Sequence, residues 1–162
     1  MKHTISVLVE NEFGVLARVA SLFSGRGYNI SSLTVAETLD PKVSRMTIVT
    51  EGSDAVLEQI VKQLNKLVNV IKVHDVTAEN PINRTLALVK VPLTTIAGGD
   101  VTAAIREMGG EVVDSDRKCC IAEFRGDESK ISSVIERLKP FGILEFEQTG
   151  NIAMQKGTKV IS

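Results

Sequence analysis

The spacing of apolar residues over the first 76 positions limits the fold more than any other feature of the chain. Thr4–Val9 alternates with period two through Ile5, Val7 and Val9, as a half-buried strand does. Asn11-Glu12-Phe13-Gly14 breaks the pattern as a turn. Val15, Leu16, Val19, Ala20, Leu22 and Phe23 then recur at helical spacing, opposite Arg18, Ser21 and Ser24. Gly25-Arg26-Gly27 ends that helix, because glycine is favoured just past a helix end. Ile30–Ala36 and Val43–Thr50 read as two strands around a turn at Asp40-Pro41. Gly52-Ser53-Asp54 offers a cap and a first-turn acid to a second helix, whose stripe is Val56, Leu57, Ile60, Val61, Leu64 and Leu67. Val70–Val76 is a fourth strand. The resulting order, β-α-β-β-α-β, is the split βαβ or ferredoxin-like arrangement.

The order then recurs. Thr85–Val91 reads as a strand, and Val101, Ala104, Ile105 and Met108 as a short helical stripe stopped by Gly109-Gly110. Glu111–Ser115 and Lys118–Phe124 form a hairpin across Asp116-Arg117. A last helix carries Ile131, Val134, Ile135 and Leu138 from Asp127 to Pro140, and Ile143–Gln148 closes the unit. The halves share architecture and little sequence. The expected fold is therefore α+β, two ferredoxin-like domains in tandem. Their expected boundaries are 1–77, a linker at 78–83, 84–154, and a polar tail at 155–162. The segment Val91–Gly99 reads as a loop and a shortened helix.

Composition removes several functions. With a formal net charge of -1 over 162 residues, the chain lacks the broad basic face of a nucleic-acid binder. Strands one and three carry no aromatic residue on which a base could stack, so RNA recognition by a sheet of this shape is not expected. The first loop has no Cys-x-x-Cys pair, which excludes the metal-carrying domains of the same topology. The only cysteines, Cys119 and Cys120, are adjacent and rule out a disulfide framework. Two strand histidines, His3 and His74, could approach each other on neighbouring strands, but make a poor metal site without further ligands. No nucleophile elbow or phosphate loop is present, so no catalytic residue and no metal site are expected. The first ten residues read as a strand and not as a secretory signal. No run approaches the length of a membrane span. A cytoplasmic protein that contacts neither membrane nor nucleic acid is the expectation.

The first loop looks suited to a small ligand that bears a carboxylate. A helix starting near Gly14–Leu16 leaves its first amides without intrahelical partners, and they and the helix dipole favour an anion. Gly14 lets a ligand approach the backbone, and Asn11 offers both an acceptor and donors. The plainer alternative is that Asn11 caps the helix and Gly14 only turns. Strand two adds a second observation. It lies at a sheet edge in this fold and carries no Pro, Lys or Arg, so it invites pairing with another strand. Dimerisation through strand two would put Asn29 and Ile30 at the subunit boundary, within reach of the partner's first loop.

These residues resemble an ACT domain, and more closely the small regulatory subunits of acetolactate synthase (acetohydroxyacid synthase). The likeness rests on Val9-Glu10-Asn11-Glu12-Phe13-Gly14-Val15-Leu16 with Arg18-Val19, and on Leu22 through Ile30 with Ser32-Leu33-Thr34-Val35-Ala36. It continues through Ser44-Arg45-Met46-Thr47-Ile48 and Gln63-Leu64-Asn65-Lys66-Leu67-Val68-Asn69-Val70. Leu88-Val89-Lys90-Val91, Val112-Val113-Asp114, Leu138 through Ile143 and Thr149-Gly150 extend it into the second half. The resemblance implies a homodimer and no catalytic centre on this chain. It implies a separate large catalytic subunit, which this chain activates and makes subject to feedback inhibition. It also implies a branched-chain amino acid effector, usually valine, at the ACT dimer interface. Asn11, Gly14, Val15 and Leu16 of one subunit would face Asn29 and Ile30 of the other. No cofactor is implied on this chain; thiamine diphosphate, Mg and FAD are implied on the catalytic partner. A free-standing amino-acid sensor acting on another enzyme is the alternative. Leu93–Gly99 departs from the family, many of whose members have a longer charged helix there.

Overall fold

β1 (Lys2–Glu10) is hydrogen-bonded on both sides and buried on both faces, and the first unit is arranged around it. The structure, a computed structural model, describes residues 1–93 and 100–161. The helix expected within Leu93–Gly99 falls on residues 94–99, outside the described residues. β1 is followed by α1 (Val15–Ser24), β2 (Ile30–Glu37), β3 (Val43–Glu51), α2 (Asp54–Leu64) and β4 (Val70–Asp75). The sheet order is β2-β3-β1-β4, all antiparallel, so β2 and β4 are the edges, as the sequence predicts.

Strand alternation sorts the residues of β1. Ile5, Val7 and Val9 point to the helices, where they pack with Val15, Val19 and Phe23 of α1 and Leu57, Ile60 and Leu64 of α2. Met46 and Ile48 of β3 join them from register positions opposite Val7 and Ile5. Full burial of a side chain of this kind contributes roughly 1.5–3 kcal/mol, so this layer supplies most of what holds the unit together. Ser53 caps α2 by accepting from the Val56 amide, with Asp54 in the first turn, as read from the sequence. After α1 it is Gly27, and not Gly25, that takes the left-handed conformation, with φ 71°.

The other face of β1 presents Ser6 and Leu8, which are also buried. Their cover comes from the end of the chain. Chain contacts group Gly150–Ser162 with Met1–Ile82, and Asn83–Thr149 as a second unit. The sequence instead suggested that 150–154 belong to the second domain and 155–162 to a tail. The difference has a polar cause. Arg45 lies on the helix-free face, donates from Nε to Ser6 Oγ (3.0 Å), and reaches with Nη2 to the Ala153 carbonyl (2.8 Å). The Asn151 amide donates to Ser32 Oγ (2.8 Å), and Gln155 bonds His74 and Glu79. β9 (Ile152–Met154) buries Ala153 and leaves Ile152 and Met154 exposed.

Within the second unit, β5 (Ile82–Pro92), α3 (Val101–Glu107), β6 (Glu111–Ser115), β7 (Cys119–Gly126), α4 (Glu128–Leu138) and β8 (Glu145–Gln148) repeat the first topology, with the order β6-β7-β5-β8. Asp100 and Asp127 cap α3 and α4 with their side chains. Val89, Val91, Ile105, Cys120, Phe124, Ile131 and Leu138 fill its core. A 3-10 turn at Thr77–Glu79 precedes β5, which starts earlier than the sequence pattern suggests.

Gly150 tests the packing of the C-terminal segment. A Cβ there would sit 2.5 Å from both the Leu33 carbonyl oxygen and Thr34 Oγ1, closer than real contacts allow. Gly150→Ala should cost about 1–3 kcal/mol through overpacking and lower the thermal midpoint by several degrees. An unchanged melt would mean that the segment does not rest on β2.

Candidate functional site: the β1–α1 loop

Of the four α-helices among the described residues, α1 alone begins without a side-chain cap. Its N-cap is Gly14, with φ 81° and ψ -5°, a left-handed conformation that costs an ordinary residue about 1–2 kcal/mol. A Cβ on Gly14 would meet nothing within 4 Å, so the demand for glycine is conformational and the space beside it is open. The Val15 amide makes a long bond to the Glu12 carbonyl (3.4 Å). The amides of Leu16 and Ala17 have no hydrogen-bond partner among the described residues. Val15 is buried and turns its side chain into the core, so it can offer a ligand only its backbone. Leu16 is exposed. Ala17 was not singled out from the sequence, because only the observed helix start identifies its amide as free.

Asn11 does not cap α1. Its amide group donates to Glu37 Oε1 (3.0 Å) and to the Pro41 carbonyl (2.9 Å), and its backbone N–H donates to the Lys42 carbonyl (2.7 Å). These bonds fasten the loop to the β2–β3 turn. Asn11 therefore keeps its side-chain oxygen for other partners, while its donors are already engaged.

A second fastening comes from Asn69, which is buried just before β4. Its carbonyl accepts from the Glu10 amide (2.9 Å), and its side-chain amide donates to Glu10 Oε2 (2.6 Å) and Glu12 Oε2 (3.2 Å). Its side-chain oxygen accepts from Arg18 on α1. One asparagine thus gathers two acids and one cation, and sets the path of the chain into the helix. The sequence carries no sign of this, since Asn69 lies 51, 59 and 57 residues from Arg18, Glu10 and Glu12.

Asn29 and Ile30 lie elsewhere. Ile30 pairs with Thr50 and β1 Lys2 with Glu51, whereas Glu37 pairs with Ser44 and Glu10 with Val43. Within one chain the expected ligand residues are thus split between opposite ends of the sheet, about 25 Å apart along β2. The Asn29 carbonyl accepts from Thr50 Oγ1 (2.7 Å) and its side chain is exposed; Ile30 packs half-buried against the core.

The remaining candidates for chemistry sit in structural roles. His3 is buried, with Nε2 3.1 Å from the Gly52 carbonyl. His74 pairs with Ser6, so it points to the other face of the sheet and the two imidazoles do not meet. Cys120 is in the second core and Cys119 is half-buried; burial pushes both thiols up, away from a reactive thiolate. Among the described residues no cluster of three or more His, Cys, Asp or Glu could hold a metal ion, and no helix is long and apolar enough to cross a membrane.

A split βαβ unit with an open, uncapped helix start, followed in the chain by a second split βαβ unit with a capped one, fits the class of ACT-type regulatory proteins. Known proteins narrow the class. Residues 5–72 match the AHAS small subunit-like ACT domain, and residues 84–157 match the family described as small subunit of acetolactate synthase. The "Probable acetolactate synthase small subunit" of Archaeoglobus fulgidus is 48% identical over 98% of this chain and 99% of its own length. The acetolactate synthase small subunit of Aquifex aeolicus is 47% identical over 96% of this chain and 81% of its own length. The crystal structure of the acetolactate synthase small subunit from Thermotoga maritima superposes with a TM-score of 0.89 at 37% identity, covering 98% of this chain and 99% of that one. The chain belongs to the acetolactate synthase small-subunit family.

Asn69→Ala removes the shared partner of Glu10, Glu12 and Arg18. It should cost about 1–3 kcal/mol, the penalty for leaving buried polar groups unsatisfied. Backbone amides of residues 10–15 should then exchange with deuterium faster than those of β3. Equal exchange rates in wild type and variant would show that Asn69 does not hold the loop.

Proposed function

We propose that this chain is the effector-binding regulatory subunit of acetolactate synthase. It takes a branched-chain amino acid, valine by family, at a site shared between two ACT domains, and passes the signal to a separate catalytic subunit. The observation that carries the reading is the division of the ligand residues between the two ends of β2. An isologous, antiparallel pairing of two β2 edges brings the Ile30 end of one strand beside the Glu37 end of the other. Glu37 is the residue that Asn11 holds, so the partner's Asn29 and Ile30 would arrive at the first loop. The open edge supports the same pairing, since no strand among the described residues lies along its outer side.

In that arrangement the valine carboxylate would lie on the free amides of Leu16 and Ala17 beside Gly14, at the positive end of α1. The Asn11 side-chain oxygen is available to the ammonium, and Asn29 of the partner subunit to either polar end. The isopropyl group would meet the exposed part of Leu16 and the partner subunit's Ile30. The first unit, Met1–Ile82 with Gly150–Ser162, would then be the sensing domain and Asn83–Thr149 a second unit of the same architecture, with no catalytic role assigned to either.

Two variants test the dimer and the ligand separately. Val35 is 38% exposed on the open edge strand, whereas Leu33 packs against the core, so Val35→Lys is the cleaner probe of pairing. It sets like charges together across the two-fold and should raise the monomer fraction in ultracentrifugation at micromolar concentration. A wild-type chain that is itself monomeric there would remove the shared site. For the ligand, Gly14→Asp adds both backbone strain and a negative charge, while Gly14→Asn adds similar strain without the charge. Gly14→Asp should lose valine binding by a few kcal/mol relative to Gly14→Asn in calorimetry. Equal valine binding by the two variants would place the effector away from this loop.

A further inference from the structure

A groove of about 680 Å³ runs between α1 and α2 on the helix side of the first unit. Arg18, Arg26 and Lys66 stand along it, Ala17, Leu22 and Leu67 form apolar parts of its lining, and no acidic residue lines it. Arg26 and Lys66 are exposed, and their side chains have no hydrogen bond or ion pair among the described residues. Lys62 on α2, outside the groove, is instead neutralised by Glu58 at 2.6 Å. Arg18 shares Asn69 with Glu10 and Glu12, but Arg26 and Lys66 beside the same cleft face no acidic lining residue, and together they form a positive field that favours an acidic partner and slows association with a basic one.

Three other surfaces of the unit are already occupied or assigned. The helix-free face lies under Gly150–Met154, the β2 edge is assigned to the dimer, and the β1–α1 loop to the effector. The geometry points to the α1–α2 groove as the dock for an acidic segment of the acetolactate synthase catalytic subunit. This rests on the reading of the chain as a regulatory subunit. A segment of protein fits better than a small anion: the groove is wide and partly apolar, and holds no buried polar atom aimed inward. Arg18 also ties the groove to the effector loop. It stands on the groove and donates to Asn69, which holds Glu10 and Glu12 at the start of that loop. An occupant that draws on Arg18 and an effector that shifts the loop would therefore act on one hydrogen-bonded chain.

The test uses the full chain and the catalytic subunit of its own host. Affinity is measured over a range of salt concentrations for wild type, Arg26→Glu with Lys66→Glu, and Lys62→Glu as a control of equal charge type. Thermal melts and valine calorimetry on the isolated variants check the fold and the effector site. The double variant should bind the catalytic subunit about tenfold more weakly or worse and show a flatter salt dependence, with unchanged melt and valine affinity. Lys62→Glu should bind nearly as wild type does. Wild-type affinity in the double variant, or an equal loss in Lys62→Glu, overturns the groove as the dock. A wild-type chain that does not bind the catalytic subunit overturns the regulatory reading itself, so the two failures are distinct.

Discussion

An antiparallel sheet can leave one face in water, but in the first unit β1 is buried on both faces, and the rest of the unit depends on how that is done. α1 and α2 bury one face through Ile5, Val7 and Val9. The other face needs a cover that a βαββαβ unit does not contain. The chain supplies it from its far end, with Arg45 as the polar link between Ser6 and the Ala153 carbonyl. A half-buried guanidinium is tolerable only with partners, and here it has two. Because β1 is held on both edges and both faces, its last residue, Glu10, enters the loop from a fixed position.

That fixed entry gives the loop its meaning. Helices that only need stability receive a cap, as Ser53, Asp100 and Asp127 provide for α2, α3 and α4. A cap contributes typically about 1 kcal/mol, so its absence at α1 gives up stability at one place. The surroundings restore it. Asn11 ties the loop to the β2–β3 turn and Asn69 ties it to β4, so the free amides are presented on a rigid support. Open donors on an ordered loop are the arrangement that binds a carboxylate without a large entropic cost.

Both units share one topology, yet they differ in what their helix starts do. In the second unit Asp100 fills the N-terminus of α3 by accepting from the Thr102 and Ala103 amides. An anion placed there would meet a carboxylate. The same architecture therefore leaves an open helix start in one unit and a closed, capped helix in the other, and the difference is a single residue type at the cap.

Much of this was legible in the sequence because it depends on local periodicity. The alternation of Ile5, Val7 and Val9 and the stripe from Val56 to Leu64 determined the elements, and the element order determined the sheet order and the edge position of β2. Gly14 ahead of the stripe from Val15 marked the helix start and the amides left there without intrahelical partners. What tertiary structure alone decided are contacts between residues far apart in the chain, which leave no periodic trace. Asn11 could be read as a cap or as a ligand group, and only the approach of Glu37 and Pro41 showed that its donors are spent. Asn69 is one polar residue between Val68 and Val70 until Glu10, Glu12 and Arg18 converge on it. The grouping of Gly150–Ser162 with the first unit was likewise invisible, since 150–154 read as the end of the second domain and 155–162 as a tail until Arg45 and Ser32 are placed beneath the segment. Local sequence specifies what each segment becomes; which segments meet is set by the packing of the whole chain, because the groups that hold them are brought together only when the sheet has formed.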